Sequence, residues 1–221
     1  KIEPLGIDKG LRYGSSSAID YDNDGDIDIA LTGFDSQNSR LIILKNNNLN
    51  FTVIEPLGID CGLQDGNICW ADYNNDCRPD FAVSGYDVKT SKTRLLIYKN
   101  LGADNFEITF EPLGFYKGLR YGSLSWADFD NDGRMDLVAS GLDDNGKSRL
   151  IIFKNEQNNF VNYIEPLGKN QGLNYSSIKW VDIDADGKLE LSALGDNNGK
   201  KLSIIKFDSQ VINIQPVVNT R

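Results

Sequence analysis

Apolar and polar positions alternate with period two along most of this chain, and no stretch carries apolar residues at helical spacing. The alternation predicts four short strands that recur four times. The first falls at residues 15–19, 67–71, 123–127 and 177–181, and the second at 27–32, 81–84, 135–140 and 189–193. A polar turn such as Asp143-Asp144-Asn145-Gly146 leads to the third, at 40–45, 94–99, 149–154 and 201–206. An Asn-rich turn leads to the fourth, at 51–54, 106–110, 160–164 and 211–214.

A second marker has the same period. Glu3-Pro4-Leu5-Gly6 returns at Glu55, Glu111 and Glu165, at spacings of 52, 56 and 54. A degenerate fifth occurrence is Ile214-Gln215-Pro216-Val217. Four antiparallel strands in a repeat of roughly fifty residues predict an all-β β-propeller of four-stranded blades, since β-helix repeats are far shorter and solenoids of this period are usually helical. The blades are placed at about 7–55, 59–111, 115–165 and 169–216 of one domain, 1–221.

Between the first and second strands lies an acidic loop, Asp20-Tyr21-Asp22-Asn23-Asp24-Gly25-Asp26-Ile27-Asp28. It recurs as 72–80, 128–136 and 182–190, stepping by the same 52, 56 and 54. Carboxylates at the first, third and fifth positions of a tight turn aim oxygens inward, the seventh residue offers its carbonyl, and the ninth closes the cage. Ca²⁺ takes about 6–8 such oxygens, and Gly at the sixth position allows the positive φ of the reversal. The second loop departs from this pattern, with Asn74 at the third position, Cys77 at the sixth and Arg78 at the seventh.

Composition follows from these loops. Of the 32 acidic residues, fifteen occupy side-chain ligand positions, and four bound Ca²⁺ would bring the net charge of −9 to −1. With the acidity so used and no basic stripe, nucleic acid is excluded as an expected partner. The absence of histidine excludes Ser-His-Asp triads, Cys-His dyads and imidazole zinc sites. No apolar run reaches the ~18 residues of a membrane span. The first residues, Lys1-Ile2-Glu3-Pro4, form neither a signal peptide nor a start, so the chain reads as processed or cut from something longer. Abundant extracellular calcium, and sequons at Asn50 and Asn174, point to a secreted or cell-surface setting. Cys61, Cys69 and Cys77 cannot all pair; Cys61 and Cys77 flank one strand and are expected to stay unbonded.

Trp70, Trp126 and Trp180 stand two residues before their loops, where the first repeat has Ala18. They are expected to wedge between neighbouring blades rather than to form a ring of sugar-stacking aromatics. At the other end of the same strands, Arg12-Tyr13 and Arg120-Tyr121 are candidates to grip an anionic or sugar ligand, Arg by its fork and Tyr by its face. Repetition of Gly-Leu-Arg-Tyr-Gly favours scaffold that joins blades, since repeated residues usually serve packing.

Each acidic loop runs into Asp-Ile-Ala-Leu-Thr-Gly33, Asp-Phe-Ala-Val-Ser-Gly85, Asp-Leu-Val-Ala-Ser-Gly141 or Glu-Leu-Ser-Ala-Leu-Gly195. This arrangement resembles the FG-GAP/VCBS repeats of integrin α propellers and of many secreted microbial and lectin-like proteins. Tyr13-Gly14 and Tyr121-Gly122 stand near the name-giving Phe-Gly, and no Gly-Ala-Pro follows, so the chain is more similar to the VCBS branch than to an integrin. The resemblance implies one calcium per blade, up to four; the second site is expected to be weakest because Asn74 replaces a charged ligand, Arg78 brings a cation nearby and Cys77 stands where φ > 0 is costly. Its ligands would be Asp20, Asp22, Asp24, Asp26 (carbonyl) and Asp28 in the first blade, and Asp72, Asn74, Asp76, Arg78 (carbonyl) and Asp80 in the second. Asp128, Asp130, Asp132, Arg134 (carbonyl) and Asp136 would serve the third, and Asp182, Asp184, Asp186, Lys188 (carbonyl) and Glu190 the fourth.

The expected function is a non-catalytic adhesion, carbohydrate-binding or assembly module with a protein or glycan ligand. Self-association or further blades would close the ring. The alternative is the propeller of a secreted polysaccharide lyase, in which Lys, Tyr or Arg could act as base. Four similar repeats with no long odd insertion weigh against it.

Overall fold

The computed structural model describes residues 4–5, 10–56, 58, 61–160, 163–197, 200–208 and 211–215, of which 163, 200–208 and 211–215 are described by backbone alone. Glu3, Gly6, the connection residues 7–9 and 59–60, residues 161–162 of the predicted strand at 160–164, and Pro216 lie outside the described residues.

All sixteen predicted strands are present. The first repeat holds β1 (Arg12–Ile19), β2 (Asp28–Phe34), β3 (Ser39–Asn47) and β4 (Asn50–Ile54), and the second β5 (Gln64–Ala71), β6 (Asp80–Asp87), β7 (Lys92–Gly102) and β8 (Asn105–Phe110). The third holds β9 (Leu124–Ala127), β10 (Asp136–Leu142), β11 (Ser148–Phe153) and β12 (Tyr163–Ile164), and the fourth β13 (Asn174–Val181), β14 (Glu190–Asp196), β15 (Lys200–Asp208) and β16 (Val211–Gln215). Each repeat is its own antiparallel meander of four strands. Among the described residues no helix is long and apolar enough to cross a membrane.

Period two is lost in the third strand of each of the first three repeats. Leu41–Leu44, Leu95–Tyr98 and Leu150–Phe153 are continuous apolar runs, at most 5 % exposed. The reason is that apolar neighbours cover both faces of these strands, so neither face can be polar.

Three hydrophobic clusters lie between consecutive sheets, first with second, second with third and third with fourth. The tryptophans centre them. Trp70 stacks on Tyr21 of the preceding repeat (centroids 5.9 Å, 14°), Trp126 on Tyr73 (6.2 Å, 10°) and Trp180 on Phe129 (5.8 Å, 13°). The indole N–H of Trp70 donates to Ser17 O (3.1 Å) and that of Trp126 to Cys69 O (3.2 Å), so these two wedges also satisfy their polar edges. These rings are spent on packing, as expected of wedges.

The Glu-Pro-Leu-Gly marker is a turn with an electrostatic anchor. Gly58, Gly114 and Gly168 N–H return to the carbonyls of Glu55, Glu111 and Glu165 at 3.0, 2.8 and 2.9 Å, with proline presetting φ inside the turn. Each Glu carboxylate meets the arginine that opens the third strand: Arg40 on Glu55, Arg94 on Glu111 (2.6 Å) and Arg149 on Glu165 (2.7 Å). The same arginines reach Asp35 (2.6 Å), Asp87 (3.6 Å) and Asp143 (3.8 Å), which locks the turn between the second and third strands to the exit of the fourth.

The Gly-Leu step that follows lies against the preceding sheet. A Cβ on Gly62, Gly118 or Gly172 would stand within 2.0 Å of backbone atoms of Arg40, Arg94 or Arg149. Only glycine permits that approach.

Candidate metal centres

Each acidic loop is wound by its first aspartate. Asp20 accepts the amides of Asp24 (3.1 Å) and Gly25 (2.9 Å), and Asp72 those of Asp76 (3.0 Å) and Cys77 (2.8 Å). Asp128 accepts those of Asp132 (2.9 Å) and Gly133 (2.8 Å), and Asp182 those of Asp186 (3.1 Å) and Gly187 (2.9 Å). Two positions per loop take positive φ. The fourth is Asn23, Asn75, Asn131 or Ala185, and the sixth is Gly25, Cys77, Gly133 or Gly187. Asparagine and glycine tolerate this conformation, whereas Cys77 at φ 65° bears its cost as a side-chain-bearing residue. Replacing Cys77 by glycine is therefore expected to stabilise the protein by about 1 kcal/mol, read from urea unfolding midpoints.

The ninth carboxylate sits at the floor of each loop. Asp28, Asp80 and Asp136 are 0 % exposed and Glu190 is 2 % exposed. Asp28 accepts the amides of Tyr21 (3.1 Å) and Asn46 (2.7 Å), Asp80 that of Asn100 (2.8 Å), Asp136 those of Phe129 (3.3 Å) and Asn155 (2.7 Å), and Glu190 that of Ile183 (2.9 Å). Burial is the main cause that pushes Asp80 and Asp136 up to about 7, against the bonds from Asn100 and Asn155 that favour the anion. Burial likewise raises Asp28.

Three loops bring together the carboxylates of positions one, three and nine, with ligand atoms within 4.8 Å of one another: Asp20, Asp22 and Asp28; Asp128, Asp130 and Asp136; Asp182, Asp184 and Glu190. The second loop forms no carboxylate trio because Asn74 holds its third position and donates no charge. Oxygens without any hydrogen-bond partner remain in three loops: Asp22 Oδ1, Asp80 Oδ2 and Glu190 Oε1. An all-oxygen, partly unsatisfied set suits a hard divalent cation, and these clusters can hold a metal ion.

The fifth position is placed differently from positions one, three and nine. Asp24 accepts the amide of Asp26 (2.9 Å), Asp76 that of Arg78 (3.1 Å), Asp132 that of Arg134 (3.1 Å) and Asp186 that of Lys188 (2.9 Å). Arg78 and Arg134 also turn their guanidiniums onto Asp76 (2.6 Å) and Asp132, so these two residues supply a counter-charge beside the site.

Two further groups escaped sequence reasoning. Lys45 reaches Asp22 (2.6 Å), Lys99 reaches Asp76 (3.7 Å) and Lys154 reaches Asp130, a cation from the third strand or the residue just after it at the first three loops. Beside them, Asn46, Asn100 and Asn155 each give a backbone amide to the ninth carboxylate and a side-chain amide to Ile27 O (3.1 Å), Pro79 O (3.1 Å) and Met135 O (3.1 Å). The in-phase Lys-Asn pair was the available signal.

Loops of neighbouring repeats are linked. Asn23 Nδ2 donates to Cys77 O and Asn75 Nδ2 to Gly133 O, both at 3.0 Å. None of Cys61, Cys69 and Cys77 forms a disulfide, as expected of the first and last, which lie on either side of β5.

At the opposite end of the inner strands the register shifts between Arg12 and Ser15, Gln64 and Asn67, and Asn174 and Ser177. In each bulge the second residue is left-handed: Tyr13 (φ 56°), Asp65 (57°) and Tyr175 (45°), matched in the third repeat by Tyr121 (54°). Tyr121 N–H donates to Asp65 O (2.6 Å) and Tyr175 N–H to Tyr121 O (2.5 Å). The rings of Tyr121 and Tyr175 stack at 5.1 Å. Arg12 lies over Tyr13 (5.1 Å) and Phe34 (5.3 Å), and Arg120 over Tyr121 (5.0 Å) and Tyr86 (5.3 Å). The sequence singled out Arg12, Tyr13, Arg120 and Tyr121, and the backbone adds Asp65 and Tyr175 to the same series.

A family model for the FG-GAP-like repeat matches residues 20–83 and 128–192, more than half of the chain. Each match opens on the first aspartate of a loop and runs into the strand that follows the next one. No curated protein matches the chain. With its acidic loops in phase inside antiparallel sheets, the chain belongs to the FG-GAP-like repeat family.

Proposed function

We propose that the chain is a non-catalytic β-propeller, its four sheets serving as blades, stabilised by up to four Ca²⁺ and working outside the cell as an adhesion, carbohydrate-binding or assembly module. The observation that carries this reading is the division of the inner strands. One end feeds the acidic loops, and the other, some 25 Å away along an eight-residue strand such as β1, presents arginine and tyrosine.

On the metal side, the trios led by Asp20, Asp128 and Asp182, and the loop with Asp72, Asn74 and Asp80, would hold the ions. Calcium there would supply the positive charge that lets clustered carboxylates pack at the sheet edge. The carbonyls of Asp26, Arg78, Arg134 and Lys188 complete the proposed ligand set.

On the ligand side, Arg40, Arg78, Arg94, Arg134 and Arg149 each pair with a carboxylate, whereas Arg12 and Arg120 stack on rings with no carboxylate partner among the described residues. Tyr13 is 58 % and Tyr175 69 % exposed. Guanidinium forks and open aromatic faces suit an acidic or sugar-bearing ligand. A binding screen of glycans and cell-surface proteins, run with calcium and with chelator, tests the reading. Ligands retained in calcium without turnover are expected, with Tyr13→Ala and Arg120→Ala each weakening them at least about tenfold. Turnover of a bound polysaccharide would replace the binding module by an enzyme.

A further inference from the structure

The three interfaces between sheets share one design, and both halves of a fourth stand open. The ring that leads the first three loops is covered by the next repeat: Tyr21 is 1 % and Tyr73 2 % exposed, beneath Trp70 and Trp126, and Phe129 is partly buried beneath Trp180. In the fourth repeat the same position is Ile183, 51 % exposed, and Leu194, at the position of the buried Thr32, Ser84 and Ser140, is 54 % exposed.

The first sheet mirrors this. Its Gly10 keeps the Gly-Leu step, yet nothing lies within 4 Å of a Cβ built there, whereas at Gly62, Gly118 and Gly172 a preceding sheet would meet that atom within 2.0 Å. A glycine shaped for a wall thus stands without one. Ala18, exposed, holds the tryptophan position.

The two open halves match each other in size. Where the three closed interfaces pair Tyr21 with Trp70, Tyr73 with Trp126 and Phe129 with Trp180, the fourth pair is Ile183 with Ala18: both members have lost their rings together. A partner bringing a tryptophan would find no flat aromatic shelf at Ile183. The chain's own first sheet does not fill the slot, since Ile183, Leu194 and Gly10 all remain open.

Resting on the propeller reading above, we infer that the occupant is a second copy of this chain. The fourth sheet of each copy docks on the first sheet of the other, continuing the established series of interfaces and closing a two-fold ring of eight sheets. Eight lies within the range of blades that propellers use, and a two-fold axis satisfies both open halves at once.

Sedimentation equilibrium of the calcium-loaded chain, with class averages from negative-stain micrographs, tests this. The expected result is twice the 24.6 kDa chain mass and an eight-lobed ring. Gly10→Val, which meets no atom within 4 Å inside one chain, and Ile183→Arg are each expected to halve the mass with an unchanged circular dichroism spectrum. A wild-type chain at single mass, or a double mass that survives both substitutions, overturns the inference. Four-lobed rings at single mass would overturn it while the propeller stands; particles without a ring at either mass would remove the propeller reading itself.

Discussion

Excess EDTA is expected to lower the melting temperature by roughly 20–40 °C if all four loops are filled at about a hundred times Kd. Each site then contributes about 2.7 kcal/mol, and a chain of this size shifts by roughly 2–4 °C per kcal/mol. The cause lies in the loop floors, where four carboxylates are almost wholly buried. Without an ion the buried charge must be borne or neutralised by a proton, and burial lifts Asp80 and Asp136 to about 7.

The sign of the pH dependence follows. Both folded-state values lie above the unfolded value of 3.8, so between about pH 4 and 7 the metal-free folded chain binds more protons than the unfolded chain. The stability of the metal-free form therefore falls as pH rises through that window. Calcium replaces those protons, so the calcium-induced gain in melting temperature should be largest above pH 7 and shrink on acidification. The second loop, with Asn74 for a carboxylate, should empty first under graded chelation followed crystallographically. A melting curve indifferent to EDTA at low ionic strength would reject the metal assignment.

Replacing Gly122 by valine is expected to remove cooperative folding, or at least about 3 kcal/mol of stability by urea titration. A Cβ at this position would lie 1.7 Å from the carbonyl oxygen of Ser140, and Gly66 faces Ser84 O at the same distance. The obstacle is backbone of the neighbouring strand, which cannot move without breaking the sheet. The adjoining Tyr121 is itself held left-handed and tied to Asp65 O. Gly133 provides the contrast: its φ is +83° but no atom lies within 4 Å of a Cβ there, so Gly133→Ala should cost only about 1 kcal/mol. If Gly122→Val and Gly133→Ala prove equally mild, the close approach of the strands is wrong.

The sequence by itself determined the sixteen strands, their four-fold period and the acidic loops. Each of these is local: the carboxylates of one trio lie within nine residues, and turn chemistry places them before any sheet packs. The strand order was legible for the same reason, since short turns join neighbours in a meander. Tertiary structure alone decided the supporting contacts. Asn46 reaches Asp28 from 18 residues away, and Asn100 binds Tyr21 O from 79. Whether the tryptophans faced ligand or core was settled by Tyr21, Tyr73 and Phe129 in the preceding repeats. Asp65 belongs with three tyrosines through its backbone conformation and cross-sheet bond, which a comparison of side chains does not detect. Such contacts depend on how one sheet lies on the next, a relation between segments some fifty residues apart that local periodicity does not encode.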